Sequence, residues 1–171
     1  MIWDKTWECA SRKAIEQIQL ERLKATVSRV YEKVPYYRNV LDSIGVKPED
    51  IRTLDDIRRL PFTTKDVLRD NYPFGLFAVP KSELLRLHAS SGTTGKPTVV
   101  GYTRRDLETW SQLVARVVTQ AGLTHADMAQ VAFGYGLFTG AFGLHYGLEK
   151  VGVSVVPASV GNTERQIMLL Q

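Results

Sequence analysis

The stretch Ser90-Ser91-Gly92-Thr93-Thr94-Gly95-Lys96-Pro97-Thr98 is the most informative segment of the chain. It combines closely spaced hydroxyl side chains with two glycines and one lysine. Glycine allows positive φ and lets backbone amides converge, hydroxyls donate hydrogen bonds to phosphate oxygens, and lysine adds a positive charge. These are the components of a polyphosphate-binding loop. The alternative interpretation is a Ser/Gly turn within an ordinary hairpin.

Spacing separates this loop from two common nucleotide-binding motifs. A Walker-type loop has four residues between its glycines, Ser or Thr directly after the lysine, and a helix next. Here Gly92 and Gly95 are three positions apart, Pro97 follows Lys96, and strand-like sequence comes next. A dinucleotide-binding fingerprint needs a strand, then glycines, then a helix. The loop therefore belongs to neither class.

Strand and helix patterns continue on both sides of the loop. Thr103 and Asp106 predict a capping box for a long helix that ends at Gly122. The strand, helix, strand order that follows predicts a parallel crossover unit. The predicted elements are a hairpin of strands at 84–89 and 98–102, the capped helix, a strand at 129–133, a helix at 138–150 and a strand at 153–156.

Upstream of the loop, residues 1–80 are predicted to form a small helical region. Apolar residues at intervals of three to five predict an amphipathic helix at 8–34, which ends before Pro35. A second, shorter helix follows and ends at Gly45. Thr53 and the Thr63-Thr64 pair predict the starts of two further short helices.

Charge is distributed unevenly along the chain. Residues 111–171 hold three basic and three acidic side chains, whereas all 171 residues hold 22 and 18. So little charge beside β-branched runs is typical of elements buried against a parallel sheet. We therefore expect an amino-terminal helical region at 1–80 and the first part of an α/β domain at 81–171.

Composition argues against several functional classes. The net charge of +4 comes from interleaved signs, which does not indicate nucleic-acid binding. A single cysteine, Cys9, excludes an internal disulfide framework and fits the cytoplasm. No apolar run approaches the about 20 residues that span a bilayer. No membrane partner is therefore expected. His88, His125 and His145 lack the spacing of metal ligands, so no metal site is expected either.

The last predicted helix is short. Thr163 with Gln166 is typical of a capping box, yet only about two turns follow before Gln171, without a terminating glycine or proline. We therefore expect the chain to be a truncated part of a larger α/β domain.

Three segments together carry a family resemblance. The loop at 90–98 resembles the phosphate-binding signature of the adenylate-forming superfamily, which comprises acyl-CoA synthetases, nonribosomal adenylation domains and luciferases. The stretch Phe133-Gly134-Tyr135-Gly136-Leu137-Phe138-Thr139-Gly140, continued by Gly143-Leu144-His145-Tyr146-Gly147, resembles phenylacetate-CoA ligases. Val34-Pro35-Tyr36-Tyr37 and Leu60-Pro61-Phe62-Thr63-Thr64-Lys65-Asp66 are similar to the amino-terminal region of the same family. The segments follow the family's order and cover nearly the whole chain.

This resemblance implies a fold and a reaction. The fold is α/β: an amino-terminal helical cluster, a β-hairpin that carries the phosphate loop, and the first β-α-β unit of a mostly parallel sheet. It is a fragment of the large amino-terminal domain of an adenylate-forming enzyme. In the implied reaction, an aryl acid and Mg²⁺-ATP give an acyl-adenylate and pyrophosphate, and coenzyme A then releases AMP to form a thioester. A homodimer is also implied for the full-length enzyme.

The resemblance also implies roles for named residues. The β- and γ-phosphates would be held by Ser90, Ser91, Gly92, Thr93, Thr94, Gly95 and Lys96. The aryl-acid pocket would be bordered by Tyr135, Phe138, Thr139 and Gly140. The alternative for this second segment is helix-packing glycines with core aromatics. The family's catalytic lysine, and its adenine, ribose and hinge motifs, would lie beyond Gln171, so the isolated chain is expected to be inactive.

Two residues depart from the family pattern. Ala141 and Phe142 occupy positions where the family is expected to have a glycine and a leucine, and their bulk would reshape the acid pocket. A ligase for another aryl or acyl acid, or an adenylation enzyme that loads a carrier protein, therefore stays open. A third alternative, from a different class, is a non-catalytic module that binds another chain through its charge-poor part.

Overall fold

A computed structural model describes residues 1–92 and 95–170 of the chain. The helices are α1 (Lys5–Glu8), α2 (Arg12–Lys33), α3 (Pro35–Ser43), α4 (Lys65–Asp70), α5 (Arg104–Gln120), α6 (Gly140–Val151) and α7 (Thr163–Met168). The strands are β1 (Arg86–Ala89), β2 (Val99–Tyr102), β3 (Met128–Gln130) and β4 (Ser154–Val156). Short 3₁₀ helices span Pro48–Asp50, Leu54–Arg59 and Lys81–Glu83.

The chain divides into two compact units. One, which we call the helical unit, consists of Cys9–Leu84 and Gly92–Val99. The other, the sheet unit, consists of Met1–Glu8, Leu85–Ser91 and the chain from Val100 onward. Each unit has its own hydrophobic core.

The helical unit is built on α2 and α3. The predicted helix at 8–34 is interrupted at its start, because Ser11 caps a new helix: its hydroxyl accepts a hydrogen bond from the Ala14 N–H. Pro35 does more than end this helix, since it is the first residue of α3, where its missing N–H costs nothing. The core of the unit contains Val27, Leu41, Val46 and Ile51.

The predicted cap at Thr53 is confirmed, but the helix type differs from the prediction. The Asp56 carboxylate accepts hydrogen bonds from the Thr53 N–H and hydroxyl, at 2.8 and 3.0 Å. The turn that follows, Leu54–Arg59, is 3₁₀ rather than α. Six residues before Leu60-Pro61 allow only a short helix, and tight 3₁₀ turns are common in such short pieces.

The sheet unit contains the predicted parallel crossover. Strands β3 and β4 pair in parallel, with Ala129 opposite Val155, and α6 lies between them in the chain. Five buried side chains form the core, from α5, α6 and the strand ends: Val118, Val131, Ala141, Leu148 and Val153. This parallel unit is the fold expected from the strand, helix, strand order.

Helices α5 and α6 pack closely because α6 presents glycines to α5. A Cβ on Gly143 would lie 2.6 Å from the Trp110 Nε1, and one on Gly147 would overlap the Val114 side chain. The predicted capping box at the start of α5 is present, since Thr103 and Asp106 each accept the other's backbone N–H. Gly143 and Gly147 are therefore helix-packing glycines, whereas a Cβ on Gly140 would meet no atom within 4 Å.

Strands β1 and β2 form a separate two-stranded sheet. The Leu85 N–H, directly before β1, donates to the carbonyl of Tyr102, the last residue of β2, so the strands run in opposite directions as expected of a hairpin.

The cap of α7 differs from the prediction by one residue. Asn162, not Thr163, is the N-cap, and its side-chain oxygen accepts from the Arg165 N–H. The Gln166 amide donates instead to the carbonyls of Ser159 and Gly161. Asn tolerates the left-handed conformation at the cap, which β-branched threonine does not.

In the part of the chain that the structure describes, no helix is both long enough and apolar enough to cross a membrane.

Candidate functional site

The two glycines of the predicted phosphate loop both have positive φ angles. Gly92 has φ +67° and Gly95 has φ +124°, both in the region that favours glycine. The Gly95 N–H donates to the Gly92 carbonyl at 3.0 Å, and a Cβ on Gly92 would lie 3.0 Å from the Gly95 oxygen. Lys96 is exposed. Thr93 and Thr94 lie outside the described residues.

Ser90 and Ser91 follow β1 directly and belong to the sheet unit, whereas Gly92, Gly95 and Lys96 belong to the helical unit. The assignment of these residues to phosphate binding stays a prediction.

The end of β1 is tied to the second predicted site segment, residues 133–140. The Ala89 N–H donates to the Leu137 carbonyl at 3.0 Å, and the His88 Nδ1 lies 3.0 Å from the same oxygen. Because a carbonyl oxygen only accepts, His88 is protonated at Nδ1. Two segments 49 positions apart in sequence therefore meet within one residue of Ser90.

His88 is the centre of an aromatic cluster. It is 2% exposed, and its ring meets those of Tyr102, Trp110 and Phe142 edge-on, with centroids 5.6 to 5.9 Å apart. Tyr102 stacks on Trp110 at 5.2 Å. Edge-on and offset-stacked rings are the favoured arrangements of aromatic pairs.

An arginine covers the other side of this cluster. The Arg86 guanidinium lies 4.8 Å from the Phe142 ring centroid and 4.9 Å from that of Tyr146, and these two rings stack on each other. A cation over an aromatic face is attracted by the ring quadrupole. Arg86 and His88 are two positions apart in β1, so their side chains lie on the same face of the strand. Both side chains contact the Phe142 ring there.

Sequence reasoning assigned His88 no role and did not single out Arg86. One signal could have found them: Arg86 and His88 are two positions apart in a predicted strand, which places both polar side chains on the same face of that strand.

The four residues predicted to border the acid pocket have different surroundings. Tyr135 is half-buried and packs against the core of the sheet unit, whereas Phe138 is 56% exposed. Gly140 begins α6, and a Cβ there would meet no atom within 4 Å. Thr139 precedes α6 as its N-cap residue.

An open groove of about 590 Å³ lies between β2, the start of α5 and Thr139. Of the four predicted pocket residues, only Thr139 lines it. The groove is lined by Val100, Gly101, Tyr102, Asp106, Thr109, Trp110, Leu113 and Thr139. Its walls are mainly apolar with a few polar groups, and it is broadly open to solvent.

The Tyr135 hydroxyl is fixed by a hydrogen bond. It lies 3.0 Å from the Nδ1 of His145, and the Nε2 of His145 lies 3.1 Å from a Glu149 carboxylate oxygen. Burial, together with the negative charge of Glu149, raises the pKa of the Tyr135 phenol above its usual range. Tyr135 therefore keeps its proton and acts as a neutral hydrogen-bonding group.

Ala141 and Phe142, which are expected from the sequence to differ from the family pattern, have different positions. Ala141 is 1% exposed and belongs to the core of the sheet unit. The Phe142 ring meets the Tyr135 ring edge-on at 5.3 Å. Phe142 thus contacts a predicted pocket residue, Tyr135.

No group of three or more His, Cys, Asp or Glu side chains within residues 1–92 and 95–170 is arranged to hold a metal ion.

Comparison with solved structures defines the class of the fold. The chain superposes on 2-hydroxyisobutyryl-CoA ligase bound to 2-HIB-AMP and CoA in the thioesterification state, with a TM-score of 0.84 and 29% sequence identity. The match covers 94% of this chain and 35% of that one. The open conformation of the same ligase gives a TM-score of 0.81 at 28% identity, over 91% of this chain and 37% of that chain. The fold is that of an amino-terminal segment of adenylate-forming CoA ligases.

Sequence relatives narrow the class to one family. The chain is 56% identical to the phenylacetate-coenzyme A ligase of Aromatoleum evansii and 54% identical to that of Thermus thermophilus. These matches cover 96% and 100% of the chain. The enzyme of the same name from Escherichia coli is 52% identical over 96% of the chain. The predicted resemblance to phenylacetate-CoA ligases is confirmed along the whole chain.

The chain spans 37 to 38% of the length of these curated relatives. A comparison with models of protein families returns no match.

Proposed function

We propose that this chain is the amino-terminal segment of an AMP-forming aryl-acid CoA ligase, with phenylacetate as the acid. One observation carries the proposal: 52 to 56% identity with phenylacetate-CoA ligases along the whole chain. A second observation supports it, since the relative with the same fold is bound to an acyl-adenylate and CoA.

The reaction has two steps. First, a carboxylate oxygen of the acid attacks the α-phosphorus of Mg²⁺-ATP, the bond to the β-phosphate oxygen breaks, and pyrophosphate leaves. Second, the thiolate of coenzyme A attacks the carbonyl carbon of the acyl-adenylate, the carbon–oxygen bond to AMP breaks, and the thioester forms. The protein mainly positions the reactants and stabilises the negative charge that develops on oxygen.

The phosphate loop acts in the first step. We propose that Ser90, Ser91, Gly92, Thr93, Thr94, Gly95 and Lys96 hold the β- and γ-phosphates and that Mg²⁺ enters with ATP as part of the substrate. The positive φ of Gly92 and Gly95 supports this role, because glycine at such positions allows a tight turn that a phosphate group can approach closely. Lys96 contributes charge rather than acting as a base.

The segment after β3 supplies the acid pocket. We propose that Tyr135, Phe138, Thr139 and Gly140 border the ring of the acid. The apolar groove beside Thr139 and the open space at Gly140 support this assignment. The contacts of His88 and Ala89 with the Leu137 carbonyl also support it. They bring this segment next to the end of β1, which Ser90 directly follows.

Further properties follow from the same proposal. The full-length enzyme is a cytoplasmic homodimer, and its adenine contacts and catalytic lysine lie outside this segment. Phe142, which is expected to differ from the family pattern, contacts Tyr135 and is the residue through which a different acid would be selected.

Exchange of labelled pyrophosphate into ATP tests the proposal. The complete polypeptide that contains this segment should catalyse exchange that depends on phenylacetate and not on a fatty acid. Exchange with another acid alone would keep the adenylation step and change the substrate. No exchange with any acid in the panel would contradict the proposal and favour a non-catalytic binding module.

Lys96 gives a sharper test of the phosphate loop. Lys96→Ala should slow acid-dependent exchange about 10- to 100-fold, because hydrogen bonds to charged groups contribute about 1.5–3 kcal/mol. Lys13→Ala is the matched control, since Lys13 is an exposed lysine on α2. Equal rates for the two variants would contradict the assignment of the loop.

A further inference from the structure

Helix α6 carries a histidine and a glutamate that extend the hydrogen bonding of Tyr135. His145 and Glu149 are one turn apart on α6, and Tyr135 lies in the segment before it. The atoms form a continuous series from the Tyr135 hydroxyl to His145 Nδ1, and from His145 Nε2 to Glu149 Oε1, at 3.0 and 3.1 Å. None of these contacts takes part in the phosphate loop.

The chemistry of the series fixes the direction of its hydrogen bonds. A carboxylate only accepts, so in the neutral imidazole the hydrogen resides on Nε2 and points to Glu149. The Nδ1 of His145 is then an acceptor, and the Tyr135 hydroxyl must donate to it. Burial raises the pKa of the Tyr135 phenol, which favours the protonated form that donates this hydrogen bond.

Aromatic packing restricts the orientation of the Tyr135 ring. The ring meets Phe142 edge-on at 5.3 Å and His145 edge-on at 5.7 Å. Aromatic contacts hold the body of the side chain, and the hydrogen bond holds its tip. A tyrosine fixed at both ends presents one defined surface to a neighbouring ligand.

We propose that His145, itself oriented by Glu149, is the positioning residue that fixes Tyr135 in the acid pocket and so determines the affinity for the acid. This inference rests on the proposed function, because it places Tyr135 beside the ring of an aryl carboxylic acid. His145 acts through Tyr135 and does not touch the reacting atoms. The affinity for ATP is independent of it.

Two substitutions of His145 separate positioning from simple packing. In Asn the amide takes the place of Nδ1, so His145→Asn keeps a hydrogen-bond acceptor for Tyr135. In Gln the amide takes the place of Nε2, so His145→Gln keeps the partner of Glu149 and removes that of Tyr135. Both remove the imidazole ring. His125→Gln is the matched control, because His125 is an exposed histidine in another part of the sheet unit.

The complete polypeptide is assayed by acid-dependent pyrophosphate exchange. His145→Gln and Tyr135→Phe should each raise the KM for the acid about three- to tenfold, the range expected for one hydrogen bond, with the KM for ATP unchanged. His145→Asn should recover most of the loss, and the double variant Tyr135→Phe/His145→Gln should lose no more than either single variant. Equal effects of Asn and Gln, additive losses, or a parallel rise in the KM for ATP would overturn the proposal.

Tyrosine labelled at the ring carbon that bears the hydroxyl gives a readout independent of activity. The Tyr135 resonance is identified by its loss in Tyr135→Phe, and its titration midpoint should fall in Glu149→Gln, because the carboxylate raises the pKa of Tyr135. The resonance should shift in His145→Gln and return in His145→Asn. An unchanged resonance in all three variants overturns the positioning role. A wild-type enzyme without acid-dependent exchange but with these shifts overturns the proposed function instead.

Discussion

Gly147 sets the distance between α5 and α6, and its replacement by alanine should destabilise the sheet unit. The new Cβ would overlap the Cγ1 and Cβ of Val114, well inside the usual carbon–carbon contact of about 3.5 Å. It would also lie 3.1 Å from the Val114 carbonyl carbon, so a change of rotamer cannot relieve the clash. The two helices must move apart.

The magnitude follows from two opposing effects. Overpacking a close-packed site costs about 1–3 kcal/mol, and this one is at the upper end because the backbone is involved. Alanine is better than glycine in a helix interior by about 1 kcal/mol, which offsets part of that cost. The free energy of unfolding should therefore fall by about 1–2 kcal/mol, and the Tm by about 2–8 °C.

Urea denaturation followed by far-UV circular dichroism measures the effect. Gly140→Ala is the matched control, because Gly140 lies in the same helix and a Cβ there meets no atom within 4 Å. Its effect should stay within about 0.5 kcal/mol. A Gly147→Ala variant as stable as the wild type, or more stable, would show that α6 does not depend on this close approach.

Two further predictions concern local hydrogen bonds of the sheet unit. Thr103→Ala removes the N-cap of α5 and should lower the free energy of unfolding by about 1 kcal/mol. Thr109→Ala, inside the same helix, is the control and should not lower it. Equal urea midpoints for the two variants would contradict the capping role of Thr103. Hydrogen bonds from the Thr124 N–H and hydroxyl lower the pKa of the Asp127 carboxyl in the folded protein. The ionised carboxylate therefore stabilises the fold at pH values above the unfolded-state pKa of about 4, and this stabilisation is lost as the pH falls through the lower pKa of the folded state. Thermal unfolding between pH 2 and 6 should show a smaller acid-induced fall in Tm for Asp127→Asn, and identical curves would refute this.

Local signals in the sequence predicted much of the fold. The capping boxes at Thr53 and Thr103 need only residues three positions apart, and both are present. The parallel pairing of β3 and β4 could also be predicted, because two strands joined by a helix usually lie side by side and run in the same direction. The cap of α7 was misplaced by one residue because Asn162 competes with Thr163 for the same role.

Non-local contacts were beyond the sequence. Trp3 donates to the side chain of Gln112 and Arg116 contacts Asp4, across more than 100 positions, so the first eight residues join the sheet unit. The aromatic cluster around His88 likewise comes from four separate elements. No periodicity within one element indicates which side chains of another element it will meet.

Helix α6 connects the packing of the sheet unit to its proposed chemistry. One set of its residues, Gly143 and Gly147, lets the helix approach α5 until backbone and side chains touch. Between these glycines the same helix carries His145, which holds the Tyr135 hydroxyl, and just before them Phe142, which contacts the Tyr135 ring. Because a helix moves as a rigid element, the depth to which α6 packs also sets the position of His145 relative to Tyr135. We therefore expect the glycines to affect the proposed acid pocket through the helix, because the nearest atoms to a Cβ at either position belong to Trp110 or Val114 and not to Tyr135. The glycines of α6 therefore serve helix packing, and if the proposed acid pocket is correct, the same helix also positions one of its residues.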